Sequence, residues 1–398
     1  MALWLEIEAW DGVGAVDREW LKGPSMNKQP LFAAGICALA GGVAAAPAGN
    51  FLSFTPCATR VTAEFATPAD AEAAACSIAP LPHGAKLAFT TRWDDTNPAH
   101  VQKCEMLNSI GLKATCFLTK SDDGFYRNEA KQILAGGNAL GNHSTSHPFL
   151  MEASVSMMFR EIMEQRMDEE AATDSPVVSF VMPFNWNSPI GPERPKLLVD
   201  MLLDGGLYIT SDAPLEGIPP DRWYAGRLFA ANDRAPDPAL FEKGLAGALA
   251  SIEKDPSHPR VVFGIHSWCD AAGNDVQKAF LSKIANNPDW FYGNDNEYGA
   301  YRYNALNGSV KKLGTEGRTA TFEVVAFDPA HTGSDIPLSL GFTAKPVSVT
   351  SGGAALAEDR GTFTLPIGRK SVAKIDRAKA DGTFAEFPGF SFTLSPDE

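Results

Sequence analysis

The sequence predicts an α/β fold: a parallel sheet built from strand–helix units, followed by a smaller all-β region. Three observations point there. Short apolar runs alternate with helical segments from residue 86 onward, as expected of parallel strands joined by crossover helices. Polar residues capable of chemistry stand just past the ends of those runs, where β/α sheets build their sites. Near Asn304 the texture changes to short alternating runs broken by Gly, Pro and Asp, with no useful helical period.

The elements follow in order. KLAFTT (86–91) is the first strand. Asn97 then offers an N-cap and Pro98 a first-turn residue; Val101, Cys104, Leu107 and Ile110 follow at helical spacing, and Gly111 ends the helix. ATCFL (114–118) is the next strand. Asn128 is expected to cap a short helix that ends at Gly136, and Ala139-Leu140 begin a third strand. VVSFV (177–181), LYIT (207–210) and VVFGI (261–265) are later strands, with helices over about 153–172, 192–204, 238–254 and 274–286 between and after them. Residues 80–303 thus form the main domain, after a lead segment at 49–79. The runs TATFEVVAF, IPLSLGF, GTFTLPI and FPGFSFTL read as a small β-sandwich over 304–398.

Bulk properties narrow the function. The chain has 398 residues, 44% hydrophobic and 21% charged, enough for about two domains. A net charge of −14 argues against a broad nucleic-acid-binding surface. No run of about 20 apolar residues marks a membrane helix in a mature chain. Residues 26–48 have the layout of a secretory signal: Lys28 is the positive start, residues 31–46 the apolar run, and Ala46-Pro47-Ala48 a small-x-small cleavage site. Translation is therefore expected to begin at Met26, with residues 1–25 an upstream extension. The mature protein is expected to be periplasmic or secreted. Beyond Cys37 five cysteines remain. In an oxidising compartment Cys57 and Cys76 are the expected pair, whereas Cys104 and Cys116 fall in apolar patterns and read as core residues.

The chemistry-bearing residues gather at strand ends. Asp94 and Asp95 follow the first strand, His143 and His147 the third. Pro183-Phe184, Asp212 and His266 follow VVSFV, LYIT and VVFGI. In H-S-T-S-H two imidazoles stand four residues apart, able to converge on one ion. One carboxylate added to them gives a two-histidine, one-carboxylate set with positions left open for water. Adjacent Asp94 and Asp95 can divide labour, one on the metal and one as a base. A metal-bound water with lowered pKa would then be a nucleophile at neutral pH, and His266 could protonate a leaving amine.

These stretches also resemble a known family. LAFTTRWDDTNPAHVQKCEMLNSIGLKATCFL, GNALGNHSTSHPFL, VSFVMPF and VVFGIHSW are similar to successive motifs of the polysaccharide deacetylases (NodB-homology domain, carbohydrate esterase family 4), in the family's order over about residues 80–300. The resemblance implies a distorted (β/α) barrel and hydrolysis of an N-acetyl or O-acetyl group on an oligo- or polysaccharide. It implies one divalent metal ion, with Zn2+ first among the candidates. By position, Asp95, His143 and His147 match the metal ligands and Asp94 the catalytic base. The backbone amide of Phe184 matches an oxyanion donor, His266 the acid, and Asp212 the carboxylate that tunes it.

The sequence departs from the family twice. The usual T-F-D-D-G reads T-R-W-D-D-T, and R-x-P-Y reads V-M-P-F, so Val181 stands where an arginine normally contacts the base. Arg92 lies two residues before Asp94, and on an extended strand residues i and i+2 share a face. Arg92 is therefore a candidate to supply the missing guanidinium, an ordinary solvated contact being the alternative; Arg222 and Arg227 are the other candidates. Trp93, Trp186 and Trp268 lie near the motifs and are candidate platforms for a sugar ring. Two other function classes fit the same residues: a glycan-binding relative without turnover, and a hydrolase of another C–N amide bond.

Overall fold

The computed structural model describes residues 56–367, except 122, 192, 211–226, 230–235 and 258. The signal-like segment 26–48, Cys37, Asp212, Arg222, the side chain of Arg227 and the FPGFSFTL run lie outside the described residues. Among the described residues no helix is long and apolar enough to cross a membrane.

Two strands come first, β1 (Pro56–Glu64) and β2 (Cys76–Ile78). The central sheet follows: β3 (Leu87–Asp94), β4 (Thr115–Leu118), β5 (Ala139–Asn142), β6 (Ser179–Val181), β7 (Tyr208–Thr210), β8 (Arg227–Phe229), β9 (Arg260–Phe263) and β10 (Trp290–Tyr292). Its order is β7-β6-β5-β4-β3-β9-β8, with β10 on β3, and every pairing is parallel. The α/β class and its parallel sheet are those expected from the alternation of strands and helices.

Strand β3 is buried along its whole length, so both faces must be covered. Its odd-numbered residues Leu87, Phe89 and Trp93 pack in one cluster with Cys104 and Leu107 of the helix Ala99–Asn108, Phe241 and Leu245 of the helix Pro238–Lys254, and Phe280 of the helix Ala271–Ile284. The helices Val155–Thr173 and Glu193–Asp204 cover Phe180 of β6 and Ile209 of β7 in the same way. The even-numbered residues of β3 face the opposite side, the concave interior of the curled sheet.

A helix, Asp295–Asn307, closes the floor of that interior. It begins with a capping box in which the Asn294 and Glu297 side chains satisfy each other's backbone amides. At its start Asp295 meets three strands directly and a fourth through Arg260. Its carboxylate pairs with Arg260 of β9 at 2.7 Å and accepts from Thr210 of β7 at 2.6 Å. Its amide donates to Thr115 of β4 at 2.8 Å, and Arg260 in turn donates to Thr90 of β3 at 3.0 Å. Inward side chains from strands spread across the sheet reach one carboxylate only because the sheet curls.

Seven further strands follow among the described residues: β11 (Ser309–Glu316), β12 (Thr319–Phe327), β13 (Leu338–Phe342), β14 (Ser348–Ser351), β15 (Ala354–Ala355), β16 (Glu358–Asp359) and β17 (Thr362–Leu365). They form two sheets, β11-β12-β1-β14-β15 and β16-β17-β13-β2. The segment before the main domain is thus more than a lead: its strands enter both C-terminal sheets. That separation also corrects the expected disulfide. Cys57 lies on β1 opposite Ala326 and Cys76 on β2 opposite Phe342, in different sheets, and both are free. A second correction concerns Asn128. The helical run starts at Asp123 and widens over Tyr126–Ala130, so Asn128 sits inside it rather than capping it.

Candidate metal and catalytic site

The C-terminal ends of β3, β5, β6 and β9 converge. Asp95 leaves β3 with φ 68°, in the left-handed region that side chains rarely adopt. Ser144 (67°), His147 (53°) and Phe184 (61°) share that conformation at the neighbouring strand ends. Such strain costs of order 1–3 kcal/mol per residue and persists where the surroundings impose it. Here the surroundings are explicit. Asn142 accepts from the Ser144 amide at 2.9 Å and donates to the Ile162 carbonyl at 2.7 Å. Glu161 takes both the amide and the hydroxyl of Ser146 at 2.7 Å. The Ser144 hydroxyl accepts from the His147 amide at 3.1 Å. The H-S-T-S-H turn is therefore pinned to the helix Val155–Thr173.

The pinned turn brings two imidazoles to one carboxylate. His143 Nε2 lies 3.6 Å and His147 Nε2 3.5 Å from Asp95 Oδ1, and the three ligand atoms lie within 4.8 Å of one another. Ligands bound at about 2.1 Å around a tetrahedral ion stand about 3.4 Å apart, which both separations from Asp95 to the histidines match, so the set is suited to gather around one divalent metal. The protonation states fit as well. Burial pushes His143 down to about 3, which keeps it neutral. Its Nδ1 donates to the Val181 carbonyl at 3.0 Å, leaving the Nε2 lone pair toward Asp95. A backbone carbonyl that fixes tautomer and ring orientation is the usual support of a metal-binding histidine. At the position where the family's arginine is expected, Val181 thus contributes its main chain.

Asp94 is 3% exposed and continues the β3–β9 ladder through a bridge to His266. Arg92 Nη2 donates to Asp94 Oδ2 at 2.9 Å, with both side chains buried. The guanidinium comes from the strand that carries the carboxylate, two residues away on the same face. His266 Nε2 stands 3.7 Å from Asp95 Oδ2, which makes it the third imidazole around that carboxylate. Trp268 lies flat on His266, centroids 3.9 Å apart and planes 5° apart, and stays 41% exposed. Phe184, 64% exposed, sets its ring edge-on to His147 at 4.6 Å.

The three tryptophans separate. Trp93 is fully buried, its indole donating to Thr91 and packing on Phe263. It cannot serve as a sugar platform: as the odd-numbered neighbour of Asp94 it points into the helix layer. Trp186 is partly buried against the Met158–Phe180–Leu198 cluster. Trp268 alone of the three stands exposed beside the imidazoles.

One contact had no motif to announce it. His100, in the first turn of the helix Ala99–Asn108, is fully buried and donates from Nε2 to the Asp95 carbonyl. Its Nδ1 is buried with no hydrogen-bond partner. A charged ring would leave an N–H unsatisfied there, and burial pushes His100 down to about 4. The only sequence signal is its place five residues after Asp95.

A parallel sheet with two histidines and a carboxylate at its C-terminal rim defines a class of α/β proteins with a candidate metal site. The comparisons narrow it. Residues 84–188 match the family model described as polysaccharide deacetylase, and so carry that family's sequence pattern. The match includes Asp94, Asp95, His143, His147 and Phe184, and stops short of His266. No curated protein matches the chain. The solved structures it resembles include a carbohydrate esterase family 4 pseudoenzyme from Bacillus anthracis, at 18% identity over 55% of this chain and 69% of that one, TM-score 0.40. Another is the peptidoglycan deacetylase PdaC from Bacillus subtilis, at 16% identity over 56% and 94%, TM-score 0.37. A third is the catalytic domain of a peptidoglycan N-acetylglucosamine deacetylase from Eubacterium rectale, at 14% identity over 55% and 92%, TM-score 0.39.

Proposed function

We propose that the protein is an exported, metal-dependent hydrolase that removes acetyl groups from an oligo- or polysaccharide. The observation that carries this reading is the convergence of Asp95, His143 and His147 beside a buried Asp94 held by Arg92. A divalent ion held by Asp95, His143 and His147 would supply Lewis-acid charge to the reaction. The chain's own groups do the rest. Asp94 removes the proton of the attacking water, and Arg92 holds that carboxylate in place on its strand. His266, kept in plane by Trp268, delivers a proton to the leaving nitrogen or oxygen. The Phe184 amide donates to the oxyanion, and Asp212 supports His266. Export rests on the signal-like layout of residues 26–48.

Acetate release from a panel of acetylated glycans, with and without chelator, tests the reading. Release that stops with chelator and resumes when a divalent metal is restored is the expected result. Binding to a glycan without acetate release under any metal would instead make the protein a binding relative of the family.

A further inference from the structure

Beneath the His266 loop lies a second group of reactive side chains. Lys103, on the helix Ala99–Asn108, is fully buried. Its Nζ stands 3.1 Å from Cys269 Sγ, donates to Asn274 Oδ1 at 2.5 Å and to Gln277 Oε1, and sits 4.6 Å from the centroid of the Trp93 ring. Cys269 is 7% exposed and its thiol donates to Asn274 at 3.2 Å. The Gln277 amide nitrogen is buried in the same place with no hydrogen-bond partner. A primary amine and a thiol are thus fixed in contact, with a spare N–H donor beside them.

We propose that Lys103 and Cys269 are a modification site, joined on oxidation by a single bridging oxygen. Hydrogen peroxide is the oxidant. The first equivalent converts the Cys269 thiol to a sulfenic acid and leaves as water. Lys103, whose three donated hydrogen bonds mark an ammonium, first releases one proton to solvent; the second equivalent then accepts one hydrogen from the resulting amine and one from the sulfenic O–H, forms the N–O bond, and leaves as two waters. In sum, one thiol, one amine and two peroxides give S–O–NH and three waters. An oxygen bridge suits the 3.1 Å gap better than a direct S–N bond, which would draw the two atoms much closer together. The unpartnered Gln277 N–H is the group placed to donate to that oxygen.

The link joins two segments that flank the histidine cluster. Cys269 follows His266 and Trp268, and Lys103 lies one helical turn after His100, which holds the Asp95 carbonyl. Oxidation would therefore tie the His266 loop to the His100 helix.

The test uses the full chain, treated with hydrogen peroxide, digested with trypsin and read by mass spectrometry. The peptides holding Lys103 and Cys269 should appear as one species, heavier than their sum by one oxygen and lighter by two hydrogens. Trypsin should fail to cut after Lys103, and dithiothreitol should release the two parts. Cys269→Ser, nearly isosteric, should abolish the species, as should Lys103→Arg. The proposal is overturned if trypsin cuts normally after Lys103 in oxidised protein while Cys269 is unmodified or carries sulfinic or sulfonic acid. It is overturned equally if the joined species persists in Cys269→Ser or lacks the added oxygen.

Discussion

Two buried arginine–aspartate pairs lie inside the same curled sheet, one at each end. At the floor, Arg260 and Asp295 meet at 2.7 Å, each 2% exposed, with Thr90, Thr115 and Thr210 bonded around them and the Tyr298 ring 4.7 Å from the guanidinium. At the rim, Arg92 and Asp94 meet at 2.9 Å beside three imidazoles and a second carboxylate. The first pair joins distant parts of the chain and fixes the closing helix. The second joins two residues of one strand. The chemistry of the pairs is alike; their sequence separation and surroundings differ. The floor pair serves folding, and the rim pair is placed to serve a reaction.

The comparison breaks most visibly at the floor. Arg260→Met strands Asp295 as an uncompensated buried charge, and losing one partner of a buried pair costs about 3–5 kcal/mol. Denaturant unfolding should show that loss; a change below about 1 kcal/mol would move this pair out of the structural role.

Acid sensitivity at the rim comes next. Below pH 6.5 the unfolded chain protonates His100, whereas the folded chain resists until about pH 4. The unfolded state therefore binds more protons across that window, and stability falls as pH drops through it, by about 3 kcal/mol at most. In chelator, His100→Gln should flatten the dependence of stability on pH between those limits. An equal slope in variant and wild type would show that His100 titrates freely.

The smallest expected effect sharpens the rim pair itself. Arg92→Met leaves Asp94 next to the positive field of the metal site, so folding should suffer less than at the floor. Acetate release should fall about tenfold, some 1.4 kcal/mol of barrier, with metal content unchanged. A rate near wild type would make Arg92 a bystander and return Arg227 or Arg222 to consideration.

Much of this was readable in the sequence, for local reasons. Asp95, His143 and His147 sit in short segments bounded by apolar strands, so their strand-end positions follow from pattern alone. Arg92 and Asp94 are legible because strand alternation puts i and i+2 on one face. The same rule, applied to Trp93, places it on the helix side; reading it as a sugar platform ignored the alternation. What stayed hidden depended on distant pairing. Strands β1 and β2 take their partners from beyond residue 318, Asp295 meets Arg260 across 35 positions, and Lys103 meets Cys269 across 166. No local periodicity reports such contacts. His100 was hidden differently: it looks like any helical residue until the left-handed turn at Asp95 swings that carbonyl toward it.

The division of labour between the adjacent carboxylates is the centre of the account, and one paired measurement addresses it. Wild type, Asp94→Asn and Asp95→Asn are stripped with chelator, titrated with Zn2+, and assayed for acetate release. Asp94→Asn should bind one equivalent of metal and lose most activity, while Asp95→Asn should lose the metal. Metal lost from Asp94→Asn and kept by Asp95→Asn would contradict the account.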